Sequence, residues 1–191
     1  MKFHELLQKR RSHYALTGEV SLSNEELEAL LGEVLEATPS AFNVQSARVL
    51  LLLDEASKSF WDEVNATFDN SIDEAKFKGF YDAKGTVLFF IDHKGVQELQ
   101  ESFPAYAENF PRWAHHENAM VQENTWVALR QEEIGASLQH YNPVIDGWVK
   151  ERYGLPESYE LVAQMPFGGI VAEPEAKEKL EKSERVRVVT K

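Results

Sequence analysis

The chain has 191 residues, 43% of them hydrophobic and 11% aromatic, no cysteine, and 32 acidic against 20 basic side chains for a formal charge of −12. That length supports one domain with its own core, and the charge argues against the nucleic-acid backbone and anionic membranes as partners, since both are held by gathered Lys and Arg. Without thiols there are no disulfides, thiolate zinc sites, iron–sulfur clusters or Cys nucleophile, and without a long apolar run the expectation is a soluble, cytoplasmic protein.

Residues 2–10 are expected to form a short helix. At 23–27, "SNEEL" makes Ser23 an N-cap with Glu26 three residues on, a capping box. The helix it opens is predicted to reach about Ala37, with Leu27, Leu30, Leu31, Val34 and Leu35 on one face. Pro39 ends it, and "TPSAFNVQSA" reads as loop. A strand at 48–53 and a helix near 55–69 follow, then "TVLFFI" (86–91) as a second strand after Gly85. From 94 to 113 the chain is polar, with spaced Phe103, Tyr106, Phe110 and Trp113 and interruptions at Pro104 and Pro111. The longest helix is predicted over about 112–140, from the seven-residue recurrence of Trp113, Met120, Val127 and Ile134, with Gly135 permitting close approach. It is the core helix of one monomer or the core of a dimer. A helix at 143–153 comes after Asn142-Pro143, and "SYELVAQMPFGGIVAEP" (158–174) reads as strand, tight Gly turn, strand. A charged, solvated linker at 175–184 leads to "RVRVV" (185–189), an alternating strand that needs a sheet edge, in this chain or in another subunit. No repeat divides the sequence, which gives one α+β domain over 1–191 with 175–191 as linker and strand arm.

Three clusters carry chemistry. Arg10, Arg11 and Ser12 supply guanidinium forks and a hydroxyl that suit a phosphate; a solvated helix end is the commoner explanation of such a pair. Ser40, Asn43 and Gln45 alternate with Ala41, Phe42 and Val44, so amide and hydroxyl groups can read the polar edge of a flat heterocycle or stabilise a turn. In "MPFGGI" (165–170), Phe167, Gly168 and Gly169 let a backbone lie close against a ligand or form a hairpin turn. No Ser–His–Asp set, metal-ligand array or P-loop is present. His115 and His116 are adjacent and point in different directions on a helix, so no metal site is expected.

In order and approximate spacing, "RRS", "PSAFNVQ", "GTVLFF", the Gly turn and a basic C-terminal strand resemble the FMN-dependent nitroreductase family over nearly the whole chain. "RRSHYAL" with "PSAFNVQSARVLLL" looks most like the subgroup related to the fatty-acid-repression nitroreductases. The resemblance implies a nitroreductase-like fold: a central, mostly antiparallel sheet flanked by helices, with the C-terminal strand exchanged in a homodimer that holds FMN at its interface. It implies that Arg10, Arg11 and Ser12 hold the phosphate and ribityl chain, with Tyr14 beside the pyrimidine edge. Ser40, Asn43 and Gln45 would reach the flavin from the partner subunit, and Phe167, Gly168 and Gly169 would lie along the isoalloxazine. Arg185, with Arg187 as the alternative, would add a phosphate contact. Phe42, Phe103, Tyr106, Phe110 and Trp113 are candidates for a lid or substrate surface, or for an ordinary packed face. One position departs from the pattern: Ser46 stands where the family usually has Pro, which is expected to loosen the start of the strand without removing a ligand contact.

The implied activity is FMN-dependent reduction of small aromatic oxidants, nitro compounds or quinones, by ping-pong hydride transfer from NAD(P)H through flavin N5. The flavin then carries the chemistry and no side chain is catalytic in its own right. No G-x-G-x-x-G fingerprint is present, and none is required for a nicotinamide that stacks transiently on a bound flavin. A flavin carrier or redox sensor on the same fold is the alternative, and an acidic, cofactor-free interaction protein is the third reading.

Overall fold

A string such as "GTVLFFI", apolar almost throughout, needs cover on both faces, and the fold supplies it. The computed structural model describes residues 2–190. In chain order these form α1 (Phe3–Lys9), β1 (Leu16–Thr17), α2 (Asn24–Ala37), β2 (Ala47–Leu53), α3 (Glu55–Thr67) and α4 (Glu74–Tyr81). There follow β3 (Gly85–Asp92), α5 (His93–Ser102), α6 (Phe110–Gln131), β4 (Ile134–Ala136), α7 (Asp146–Tyr153), β5 (Tyr159–Ile170) and α8 (Lys182–Arg185). All strand pairs are antiparallel, in the order β1–β5–β3–β2, with β4 also pairing with β5.

β3 sits in the middle, paired with β2 from Ala47↔Ile91 to Leu53↔Gly85 and with β5 from Gly85↔Phe167 to Asp92↔Tyr159. Its period-two alternation sends Val87 and Phe89 into a core with Leu27 and Leu31 of α2 and Val121, Trp126 and Leu129 of α6. Leu88 and Phe90 point the other way, onto Phe60 and Trp61 of α3, Phe80 of α4 and Val149 of α7. The result is a helix–sheet–helix sandwich, the nitroreductase-like arrangement expected from the sequence. A third small core of Ile91, Val96, Phe110 and Ala114 seats α5 against the start of α6. Among the described residues, no helix is long and apolar enough to cross a membrane.

α2 starts where the capping box requires: Ser23 Oγ accepts from the Glu26 N–H at 3.2 Å, and the Glu26 carboxylate accepts from the Ser23 N–H at 2.8 Å. Four expectations need correction. The long helix stops at Gln131, not 140; Glu133 takes a left-handed φ of 59° and turns the chain back, so that Ile134–Ala136 pair with β5. Gly135 does permit close approach, but in a strand: a Cβ there would lie 2.7 Å from Ile170 Cγ1 and 3.0 Å from His13 Cβ. The segment 158–174 is no hairpin, since β5 runs unbroken through both glycines. Within the stretch read as polar from 94, residues 93–102 form a helix, and a further helix that the sequence reading did not name spans 74–81; each is opened by an Asp cap, Asp92 and Asp73, whose side chains accept from Lys94 and Lys76 N–H. Finally, "RVRVV" forms no strand in the single chain: Lys182–Arg185 make one helical turn, and Val186, Val188 and Val189 are 66%, 77% and 76% exposed.

Candidate functional site

The arginine pair lies where α1 ends. The Arg10 N–H still bonds the Leu6 carbonyl at 2.9 Å, but Arg10 is extended, and the chain leaves the helix to bridge Ser12 against Ala136. The Arg10 guanidinium sits 4.3 Å from the centroid of the Trp126 ring, and its Nε is 3.4 Å from Glu123 Oε1. That approach is an ion pair without hydrogen-bond geometry, and it leaves Arg10 Nε buried and without a hydrogen-bond partner. Arg11 Nη2 donates to the Glu175 carbonyl at 2.5 Å. Together Arg10, Arg11, Ser12 and the half-exposed Tyr14 line an open cleft of about 820 Å³, whose other wall carries Glu175, Lys177 and Lys179. In a chain of charge −12, four basic side chains around one cleft are a local reversal of sign. The two lysines belong to the segment expected to be a solvated linker; their alternation with glutamate concealed the role of that segment as a wall.

The second cluster is a strained loop. Phe42, Asn43 and Gln45 have φ of 55°, 53° and 49°, a left-handed conformation that costs a non-glycine residue about 1–2 kcal/mol. Such strain persists only when the surroundings over-determine it. Ser40 Oγ accepts from the Gln45 N–H at 2.9 Å, Arg48 Nη1 donates to the Gln45 carbonyl at 2.5 Å, and the Asn43 and Val44 N–H groups bond the Ser40 and Ala41 carbonyls. The end of the loop is held by Glu117 of α6. Its carboxylate, only 4% exposed, accepts from Ser46 N–H at 3.1 Å, Ser46 Oγ at 2.6 Å and Ala47 N–H at 3.0 Å. This corrects the expectation for Ser46. A proline could make neither of the Ser46 contacts, so here the serine ties the loop down instead of loosening it.

The same loop pushes Phe42 out, 51% exposed, into a cluster of rings: Phe103 at 4.9 Å between centroids, Phe110 at 5.3 Å, Tyr106 at 6.2 Å and Trp113 at 6.3 Å, the last stacked. Phe110 is buried in the third core, so only the other four can present a surface. An open groove of about 440 Å³ runs between Ala41 and Phe42 on one side and Trp113, His116 and Met120 of α6 on the other. The sequence reading missed His116 and Met120. Their spacing, three and seven residues after Trp113, places all three on one helical face.

The glycines after Phe167 serve a different local purpose from the turn expected. β5 is flanked there on both sides, Gly169 pairing with Ile134 and with Thr17. A Cβ on Gly168 would collide with the Thr17 carbonyl, and one on Gly169 with the Glu19 carbonyl. Phe167 is 1% exposed, its ring in the core with Val87 and Met165. Arg185 closes the one-turn α8, and Arg187 lies in the exposed end beyond it.

One chain does not bring the two polar clusters together. Arg10 packs on Trp126 and Phe42 on Trp113, thirteen residues apart on α6 (126 minus 113), or about 20 Å at about 1.5 Å per residue. Between them α6 leaves His116, Ala119, Met120 and Asn124 exposed.

A family model described as the nitroreductase family matches residues 7–169. HBN1 of Saccharomyces cerevisiae is 36% identical over 173 residues, which cover 88% of this chain and 88% of the relative. The nitroreductase CinD from Lactococcus lactis, solved in complex with nicotinic acid, superposes with a TM-score of 0.94 at 38% identity over 99% of this chain and 100% of that one. CinD has also been solved with chloramphenicol and with 4-nitrophenol. A protein from Exiguobacterium sibiricum solved in complex with FMN shares the fold, with a TM-score of 0.75 at 16% identity over 98% of this chain and 97% of that one.

Proposed function

The chain belongs to the nitroreductase family, and from that premise we propose that it is an FMN-dependent oxidoreductase that takes electrons from NAD(P)H and reduces small nitroaromatic or quinone-type acceptors. The observation that carries this reading is the basic cleft at the end of α1. An anion placed there would meet the Arg10 and Arg11 guanidinium groups and the Ser12 hydroxyl, which line the cleft together. A phosphate fits this donor set.

On this reading Arg10, Arg11 and Ser12 hold the phosphate, Tyr14 lies at the ring's pyrimidine edge, and Lys177 and Lys179 close the far wall. FMN, when bound, supplies the two-electron carrier that accepts hydride at N5 and passes it on. The chain's own contribution is to bind, orient and electrostatically support the ring. Asn43 and Gln45 are exposed on a loop whose strained backbone is fully tied down, which suits fixed donors and acceptors at a heterocycle edge. Phe42, Trp113, His116 and Met120 frame a groove wide enough for an aromatic acceptor, and CinD's complexes with 4-nitrophenol and chloramphenicol, both nitroaromatic, favour that class.

The separation of the clusters along α6 supports a homodimer, in which the loop of one subunit completes the cleft of the other. The exposed His116–Asn124 face of α6 is the surface such a partner would cover. The outer edge of β2, with no strand beyond it among the described residues, is an edge that the partner's exposed 186–190 segment could join, carrying Arg185 or Arg187 towards the phosphate. FMN has about thirty heavy atoms, and at about 0.3 kcal/mol each a site of this kind yields about 9 kcal/mol, a sub-micromolar constant.

The test is optical. Purified protein should be yellow and release FMN on denaturation; anaerobic NAD(P)H should bleach it, and 4-nitrophenol or a benzoquinone should restore the colour. Colourless protein that takes up no FMN contradicts the cofactor. Yellow protein that NAD(P)H does not bleach is a carrier or sensor instead.

A further inference from the structure

His13 sits in the middle of the arginine loop, yet its side chain is 0% exposed. Its Nδ1 lies 3.0 Å from the Arg11 carbonyl and its Nε2 3.2 Å from Glu173 Oε2, beyond the end of β5. Both partners are acceptors, and each ring nitrogen lies within hydrogen-bond distance of one of them. The backbone N–H of His13 bonds the Ala136 carbonyl at 2.9 Å, and the ring rests on Gly135, where a Cβ would lie 3.1 Å from His13 Cγ. The charged groups around it are few. Glu173 reaches Arg130 Nη2 at 3.8 Å through its other oxygen, and Arg130 donates to Glu133 at 2.6 Å and to the Lys9 carbonyl at 3.3 Å. One step along, Arg11 Nη2 bonds the Glu175 carbonyl. Residues 173–175 are therefore stitched across residues 11–13 at two points, directly beside the wall bearing Lys177 and Lys179.

We propose that His13 is a positioning residue for phosphate recognition, acting through Glu173, a role that rests on the FMN reading above. With both nitrogens engaged, the imidazole has one orientation. It holds the Arg11 backbone on one side and the segment after β5 on the other, and so fixes the Arg11 guanidinium relative to the opposing lysines. The contacts made by the His13 ring are with the Arg11 backbone and Glu173, at the phosphate end of the site, and of the residues assigned to the ring only Tyr14 adjoins them. The 40–45 loop is tied down separately, by Glu117. The consequence is selective: disturbing His13 should weaken recognition of the phosphate and leave that of the ring.

Flavin-depleted wild type, His13→Gln, Glu173→Ala, Glu173→Gln and the His13→Gln/Glu173→Ala double variant would be titrated with FMN and with riboflavin, which lacks the phosphate, by quenching of flavin fluorescence. Wild type should prefer FMN. His13→Gln and Glu173→Ala should each weaken FMN about tenfold, the scale of one charge-assisted hydrogen bond, with riboflavin unchanged. Glu173→Gln, which keeps an acceptor but not the charge, should lose less than Glu173→Ala, and the double variant should be no worse than the weaker single one. Equal losses for FMN and riboflavin, or single losses that multiply in the double variant, would overturn the proposal. Glu173 is 65% exposed, so its variants report even if His13→Gln fails to fold. A wild type that binds riboflavin as tightly as FMN would overturn the phosphate assignment itself.

Discussion

At the scale of single residues, the proposed function rests on two guanidinium groups at one cleft, Arg10 held over Trp126 and Arg11 against the Glu175 carbonyl. Arg10→Ala combined with Arg11→Ala should give folded protein that loses its flavin on dialysis, because each lost phosphate contact removes about 1.5–3 kcal/mol; undiminished flavin content after dialysis would take both arginines out of the site. Glu117 makes a different prediction. Glu117→Ala strands the buried Ser46 and Ala47 N–H groups, each worth about 1–3 kcal/mol when unsatisfied, so the urea midpoint should fall clearly. Ser46→Pro should also destabilise, although Pro is the family's usual residue there, since it leaves Glu117 with one of its three donors. A proline variant at least as stable as wild type would show that the carboxylate does not depend on the serine. The arginines became candidates in the sequence only through the resemblance that Arg-Arg-Ser makes together with the later motifs. His13, Glu117 and Glu173 could not be read there, because each acts on a residue far along the chain, and a buried histidine or glutamate has no local signature.

Secondary-structure elements were legible where local chemistry alone decides them. α2 has a cap, a counter-cap and an apolar stripe, all within one run. Its start carries a pH prediction: the Ser23 backbone N–H, and then its hydroxyl, hold the Glu26 carboxyl below the usual carboxylate range. A lowered acid stabilises the fold above its ordinary range and loses that contribution as pH falls through the lowered value. Glu26→Gln should therefore lower the urea midpoint near neutral pH, with the difference from wild type closing in acid; a difference independent of pH would contradict the capping role of the charge. The errors lay where tertiary context overrides local pattern. Ile134 continues a heptad recurrence, but one left-handed residue, Glu133, sends it into a strand. Gly168 and Gly169 look like a turn, whereas their missing side chains make room for the 17–19 backbone. α4 and α5 are short and mostly polar outside, and α5 seats only Val96 fully in the core, too little for a periodic signal.

On the scale of the whole molecule, the acidic chain gathers four basic side chains at one cleft and a cluster of partly exposed rings at another, with about 20 Å of α6 between them. The sequence indicated both clusters but not their distance, which depends on packing around a helix whose buried face includes Glu117, Asn118, Gln122 and Arg130. Truncation before Arg185 should weaken both dimerisation and flavin retention if the terminal segment crosses to the partner's β2 edge; a truncated dimer with full flavin content would make the arm dispensable. The claim that two chains build each site has a more direct test. A chain carrying Arg10→Ala and Arg11→Ala would be co-expressed with one carrying Ser40→Ala, Asn43→Ala and Gln45→Ala, each with a different tag, and the mixed dimer isolated. Each parent homodimer should be flavin-poor, while the mixed dimer, which pairs the intact arginines of one chain with the intact loop of the other, should retain one FMN per dimer. A mixed dimer as flavin-poor as its parents would place both clusters of a site in the same chain and contradict the account.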